Sequence, residues 1–422
     1  MHYNSLGGLG TGVRYILAFF RALLTLAGLL VLAGCAYLAF WPVPPDAPTG
    51  PAEAEPGPAV PCEARRVPIS LTPQTIQVRP GGSIQEAVDQ AQPGDTVQVA
   101  PGTYRESVLV ELPNLALVGQ VAGGRRPVLA GEGARENGLV VCAAAFELEG
   151  FEFRDYTGNG VLVQGTSNVT LRDLIADHTG EYGLSAVKSS KVVIENSIAI
   201  GASDTGIYIG QSQDVTVSNN EATENVSGFE IENSSQVVLQ DNYAHGNSAG
   251  VLVFVLPDLD QKLGLDNLVR GNRIVGNNLP NFASEADIVS RVPPGIGILI
   301  MAADRTEVTD NEIRDNRSVG IAVISLKELF SDRLLFDVGT ETEGSWIHDN
   351  QVEGNGADPD SALTDAGLPG VDLLWGASGW DNTWSERQGT RFPRVLPGAS
   401  WPDFLQVAYW RALSLARILS RP

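Results

Sequence analysis

Positive charge is scarce in this chain. Against 50 acidic residues the 422-residue sequence carries 28 lysines and arginines, a net charge of −22. A polyanion is repelled on average by such a surface, which excludes a nucleic-acid partner. It also weighs against an acidic polysaccharide unless a basic groove or bound cation intervenes. Histidine and cysteine are rarer still, four and three residues. His178, His245 and His348 fall in well-separated stretches with no other histidine or cysteine nearby, so convergence on one transition-metal ion, and with it a copper site, is not expected.

What the chain does have is repetition. Four copies of one pattern, GVLVQGTSNVTLRDL, GLSAVKSSKVVIENS, GIYIGQSQDVTVSNN and GFEIENSSQVVLQDN, open at Gly160, Gly183, Gly206 and Gly228, and a fifth begins at Gly250. Apolar residues alternate within each copy, as at Ile207 and Ile209, then Val215 and Val217. That period marks short strands, and strands this short bury their apolar face only by stacking copy on copy. Leucines three apart, the mark of a leucine-rich arc, are missing, and steps of 22 and 23 residues are not multiples of six. The predicted fold is all-β: a single-stranded right-handed parallel β-helix with three strands per coil, coils about 4.8 Å apart, a short N-terminal capping helix and a C-terminal helical cap. Asp173, Asn196, Asn220, Asn242, Asn272, Asn311 and Asn350 each follow the second strand of a copy. They are expected to stack as a structural ladder that satisfies buried turn amides.

Residues 22–41 carry no charge and follow Arg14 and Arg21, the layout of a secretory signal or an N-terminal anchor. Leu32-Ala33-Gly34-Cys35 resembles a bacterial lipobox, which implies lipidation of Cys35; the apolar run continues to Trp41, which suits an uncleaved anchor. Either reading tethers the rest, through the N-terminus only, on the outer side of the cytoplasmic membrane, periplasmic or at the cell surface. Residues 1–41 are thus a leader or anchor, 42–72 a proline-rich linker, 73–358 the β-helix and 359–422 a cap. Cys62 and Cys142 are candidates for a disulfide in an oxidising compartment. Ser83 to Glu86 forms a capping box, and Ile84, Ala87, Val88 and Ala91 share one face of the helix that closes the first coil.

The segment SIQEAVDQAQPGDTVQVAPGTY resembles the opening motif of the pectate-lyase-like β-helix superfamily, which includes polysaccharide lyases, uronate epimerases and periplasmic copper-binding maturation proteins. GASDTGIYIGQSQDVTVSNNEATENVSGFEIENS, with GVLVFVLPDL, NFA and GSWIHDNQVEGNG, is similar to a narrower family of exported β-helix proteins often encoded beside a c-type cytochrome. The resemblance spans roughly residues 75–356 and implies a fold, not a reaction.

Three stretches interrupt the period: 256–267, 279–295 and 325–345, expected as loops that protrude from the coils. Strand alternation sends Leu162, Ser185, Tyr208, Glu230 and Leu252 outward, with Gln164, Val187, Gly210, Glu232 and Phe254 beside them. Tyr208, Glu230 and Glu232 therefore share a wall, with Lys188 and Asp204 in adjoining turns as further catalytic candidates for proton chemistry on a uronate. Asp258, Asp260 and Asp266 are candidate Ca²⁺ ligands; no other cofactor is implied. Five tryptophans and an amphipathic stretch, with Phe404, Val407, Ala408, Leu415 and Ile418 near one face, are expected to pack on the last coil. Two functions fit: a carbohydrate-binding or carbohydrate-processing protein, lyase-like or epimerase-like, or a non-catalytic scaffold or maturation factor for another exported protein, a redox protein included. A monomer with a polysaccharide or an exported protein as partner is expected.

Overall fold

The computed structural model describes residues 63–65, 72–330, 335–386 and 388–420, all within one compact unit, Glu53–Pro422. Cys35, Cys62 and the apolar run 22–41 lie outside the described residues. Successive coils give one strand to each of three sheets, of 12, 11 and 10 strands, and neighbouring strands run parallel. In one coil the chain passes through Tyr182–Val187, Ser190–Glu195 and Ile198–Ile200, and then Thr205–Gly210 lands on Tyr182–Val187 with Leu184 beside Ile207. That register repeats as a column of Leu184, Ile207, Phe229, Val251, Ile298, Ile321 and Leu373, all buried. Each such side chain contributes about 1.5–3 kcal/mol by leaving water, and β-branched and aromatic residues suit the pleated stack.

The glycine that opens each copy has a steric cause. A Cβ on Gly183 would lie 2.4 Å from the carbonyl oxygen of Gly206, and one on Gly250 would lie 2.5 Å from that of Gly297. No real Cβ tolerates such a contact, so the residue that starts this strand must lack one.

The expected ladder is present from Asn220 onward. The side-chain amide of Asn220 donates to Asn242 Oδ1 (3.0 Å), Asn242 to Asn272 (3.0 Å), Asn272 to Asn311 (2.9 Å) and Asn311 to Asn350 (2.8 Å), and Asn350 ends the row on Glu386 (2.8 Å). Asp173 and Asn196 do not belong to it. They occupy the preceding turn position, where Asp173 (φ 51°), Asn196 (φ 52°), Asn219 (φ 55°) and Asp241 (φ 56°) adopt the left-handed conformation that short polar side chains tolerate. The rung below Asn220 is Ser197, whose hydroxyl accepts from Leu174 N at 3.1 Å. A second ladder runs through Asn225, Asn247, Asn277, Asn316 and Asn355 and ends on Asp372.

At the first coil, Ser83 caps the helix Ile84–Gln90 by accepting from Glu86 N, but Glu86 does not reach back. The carboxylate of Glu106 takes that place and accepts from the Ile84 and Gln85 amides at 2.7 and 3.1 Å. At the other end the β-helix runs past residue 358. Val371–Trp375 and Arg391–Phe392 extend the 11-stranded sheet, and Thr383–Trp384 extends the 12-stranded one. Trp375 and Trp384 are buried there. The helix Asp403–Ser420 packs with Gln406, Tyr409, Trp410 and Leu413, not with the expected face: Phe404 and Leu415 are 71% and 57% exposed.

The three insertions do not protrude. Their described residues lie back over the 11-stranded sheet as one canopy. Asn233 and Gln211 hold the first by donating to Leu256 O and Gln261 O and accepting from the Asp260 and Gln261 amides. The second folds around Asn281, whose amide donates to Val289 O and Val292 O. Lys262 pairs with Asp337, joining first to third, and the Arg291 guanidinium sits 5.1 Å over the Phe330 ring, joining second to third. Beneath them the strands Thr205–Gly210, Ser227–Glu232, Ala249–Phe254 and Ile296–Met301 are buried on both faces.

The two turn positions make opposite demands. Asn220→Leu leaves two rungs unpaired and costs about 2–4 kcal/mol, whereas Asn196→Gly, at a left-handed site, changes stability by less than about 0.5 kcal/mol. Denaturant unfolding of both variants checks this, and equal losses would contradict the assignment.

Candidate functional site

The covered wall collects acids. Tyr208 and Glu230 are register partners on adjacent coils, and Glu232 stands opposite Gly210. The Tyr208 ring lies across Gly210 and its hydroxyl donates to Glu232 Oε2. Only glycine permits this, because a Cβ at 210 would sit 2.4 Å from the Tyr208 hydroxyl oxygen. Tyr182, one coil below, stacks on Tyr208 with ring centroids 4.1 Å apart and planes 2° from parallel. Asp204 accepts from the Thr205 hydroxyl at 2.9 Å. Glu230 is hydrogen-bonded with the hydroxyls of Thr205 and Ser227, but its Oε1 is buried with no partner. Tyr208, Glu230 and Glu232 are all less than a tenth exposed.

Burial without a cation sets the protonation of these groups. Burial pushes Asp204 up to about 8, against the pull of the Thr205 hydroxyl and with the charges of Asp287, Glu181 and Glu232 adding to it. Glu230 is held well above the usual carboxylate range, first by burial and then by Asp204 and Glu232. Burial, and then Glu232 as charge and as acceptor, raise Tyr208 far above its ordinary value. Every charge that acts on these three is acidic. Asp204 and Glu230 are therefore both shifted toward the neutral form, which can donate, beside a tyrosine already bonded to a third carboxylate.

Four of the five expected catalytic residues, Tyr208, Glu230, Glu232 and Asp204, meet in this cluster. Lys188 does not: its ammonium is 2.7 Å from Asp260 in the first insertion, where it pins the canopy. Glu181, Tyr182 and Asp287 belong to the site but were not singled out from the sequence. The repeat did carry that signal, since Glu181-Tyr182-Gly183 and Asp204-Thr205-Gly206 occupy one position of successive copies. Asp287 comes from the second insertion, whose path no repeat predicts.

The expected Ca²⁺ ligands are apart. Asp260 binds Lys188, Asp266 grips Arg305 with two bonds of 2.6 and 2.9 Å, and the Asp258 amide donates to Asp337. Among the described residues no cluster of three or more histidine, cysteine or acidic side chains is placed to hold an ion. His245 bonds Glu221 at 2.9 Å, and His348 lies between Glu307 (3.1 Å) and Asp349 (2.8 Å), each histidine on its own coil. Cys142 is disulfide-bonded, with its partner outside the described residues.

Residues 135–256 match the family described as right-handed beta helix region. The chain is a right-handed parallel β-helix. Similar solved structures include the A-module of a mannuronan C-5 epimerase from Azotobacter vinelandii, 17% identical over 66% of this chain and 85% of that one, with a TM-score of 0.44. An alginate lyase from a Paenibacillus strain is 15% identical over 66% of this chain and 95% of its own, TM-score 0.49. A family 28 exopolygalacturonase from Yersinia enterocolitica is 12% identical over 75% and 72%, TM-score 0.49. Comparison with curated proteins finds no significant match. Likeness at these levels assigns no reaction to the β-helix.

The raised Asp204 has a thermodynamic consequence. Its folded-state value lies above the unfolded one, so its stabilisation is complete below about pH 3.8 and is lost as pH rises toward about 8. Asp204→Asn keeps an acceptor for Thr205 and removes this titration. Urea midpoints measured from pH 4 to 9 should fall less steeply in the variant than in wild type, and parallel curves would contradict the burial of this acid.

Proposed function

We propose that this β-helix processes carbohydrate by proton transfer on a uronate, at the wall beneath the canopy. The observation that carries the reading is Glu230: a fully enclosed carboxyl with an unpartnered Oε1, beside the Tyr208–Glu232 pair and with no cation to offset it. Such a group costs stability and has no packing role, and unpaired buried acids of this kind concentrate where chemistry is done. The upward shift of Asp204 and Glu230 also answers the objection from net charge, because a protonated carboxyl donates to a sugar carboxylate where an ionised one repels it.

The step that suits these groups is β-elimination. The proton on C5 passes to the Tyr208 oxygen as the phenol proton moves to Glu232. The C5–H pair forms the C4=C5 double bond, the C4–O4 bond breaks, and Glu230 gives its proton to the leaving O4. Asp204 donates to the uronate carboxyl and bears the charge that develops there. Return of a proton to the opposite face of C5, without loss of O4, would be epimerisation from the same intermediate. In this reading substrate reaches the wall by displacement of the canopy: Lys188–Asp260 and Lys262–Asp337 are exposed ion pairs of the kind that hold weakly, and Val289, Val292 and Phe330 must leave the core with it.

The scaffold reading would need the same canopy displaced before the apolar wall could receive a partner. Leu252, Phe254, Leu299 and Met301, the apolar part of the wall, are buried and belong to one core with Val289, Val292 and Phe330 of the insertions.

The test is a panel of polyuronates assayed for unsaturated product and for C5 proton exchange. Wild type should turn over at least one, and Tyr208→Phe and Glu230→Gln should each lower the rate by about 100-fold or more while unfolding as wild type does. Wild type silent on every polyuronate, or variants that match its rate, would end this reading.

A further inference from the structure

The C-terminal helix Asp403–Ser420 is apolar on two sides. One side, with Gln406, Tyr409, Trp410 and Leu413, is packed: the Trp410 indole donates to Ala377 O at 3.0 Å and the Tyr409 hydroxyl to Val395 O at 2.8 Å. The opposite side holds Phe404, Ala408, Arg411 and Leu415, one to three turns apart, and all four are exposed. Leu405 (45% exposed) and Val395 (52%), the latter joined to the helix through Tyr409, widen the patch. Water-facing phenylalanine and leucine in this number on one short helix mark a surface that something covers.

Charge indicates what covers it. The chain carries −22 overall, yet residues 404–422 contain Arg411, Arg417 and Arg421 and not one acid. A second copy would set this basic stretch against its own like charge, whereas an anionic lipid surface attracts it over the short range that salt leaves unscreened and takes up the apolar side chains. No helix among the described residues is long and apolar enough to cross a membrane. An interfacial helix needs no such length, only an apolar stripe, flanking arginines and aromatic residues. We propose that this helix lies on the headgroup layer of an anionic membrane, with Phe404 and Leu415 inserted, and so sets how the end of the β-helix sits on the bilayer.

The test uses the full chain and a readout confined to the helix, so that any other membrane attachment is common to all arms. Hydrogen exchange of peptides within 403–416 is followed with vesicles of phosphatidylcholine alone and of phosphatidylcholine with a quarter phosphatidylglycerol. Exchange should slow about fivefold or more with the anionic vesicles, less at high salt, and not at all in F404S/L415S, whose coil amides should exchange as in wild type. Equal exchange with both vesicles overturns the proposal. Protection that appears without lipid and grows with protein concentration also overturns it, and assigns the face to a second copy.

Discussion

Everything in this molecule depends on each coil being met, atom for atom, by the coil above. A parallel stack leaves turn amides and carbonyls in the interior, where an unpaired group costs about 1–3 kcal/mol, and the two asparagine ladders meet them coil after coil. The same demand sets the opening glycines, because successive backbones approach too closely there for any side chain. Insertions do not disturb the stack. Successive rungs from Asn220 to Asn350 are 22, 30, 39 and 39 residues apart along the chain, yet each bonds the next at 2.8–3.0 Å.

Since added residues cannot enter the coils, they collect outside them, and here all three insertions fall on one sheet. That placement turns an outer wall into an interior. Tyr208, Glu230 and Glu232 would be ordinary solvated side chains on a bare β-helix; beneath the canopy burial becomes the first cause of the shifted protonation of Tyr208 and Glu230. Local stability is given up for a cluster of acids pushed toward their neutral forms, and a site whose groups conflict with their surroundings is one that folding alone does not explain.

The repeating part of this architecture was legible in the residues, because a period of 22 or 23 with alternation two apart admits few solutions. The outward column of Tyr208, Glu230 and Glu232 followed from the same alternation. The slip at Asp173 and Asn196 came from two neighbouring turn positions that both favour asparagine and aspartate, one for its amide and one for its left-handed backbone; Asn219-Asn220 satisfies both, while Asn196-Ser197 shows only the wrong one. Lys188 was misread because its partner, Asp260, lies 72 positions on in an insertion with no period. The stripe of Phe404, Val407, Ala408, Leu415 and Ile418 was expected to pack on the last coil, yet Phe404, Ala408 and Leu415 are exposed, because periodicity says which residues lie together and not which way the face turns. A helix with two apolar sides leaves that choice to Tyr409 and Trp410, whose polar tips find carbonyls on the last coil.

The most direct test of this account is the protonation state of the wall. Infrared difference spectra of the carboxyl carbonyl stretch at pH 7 should show neutral carboxylic acids in the wild-type protein, with one band lost in Glu230→Gln and another in Asp204→Asn. Spectra in which both groups are ionised at that pH would contradict the claim that the canopy keeps them neutral, and with it the chemistry built on them.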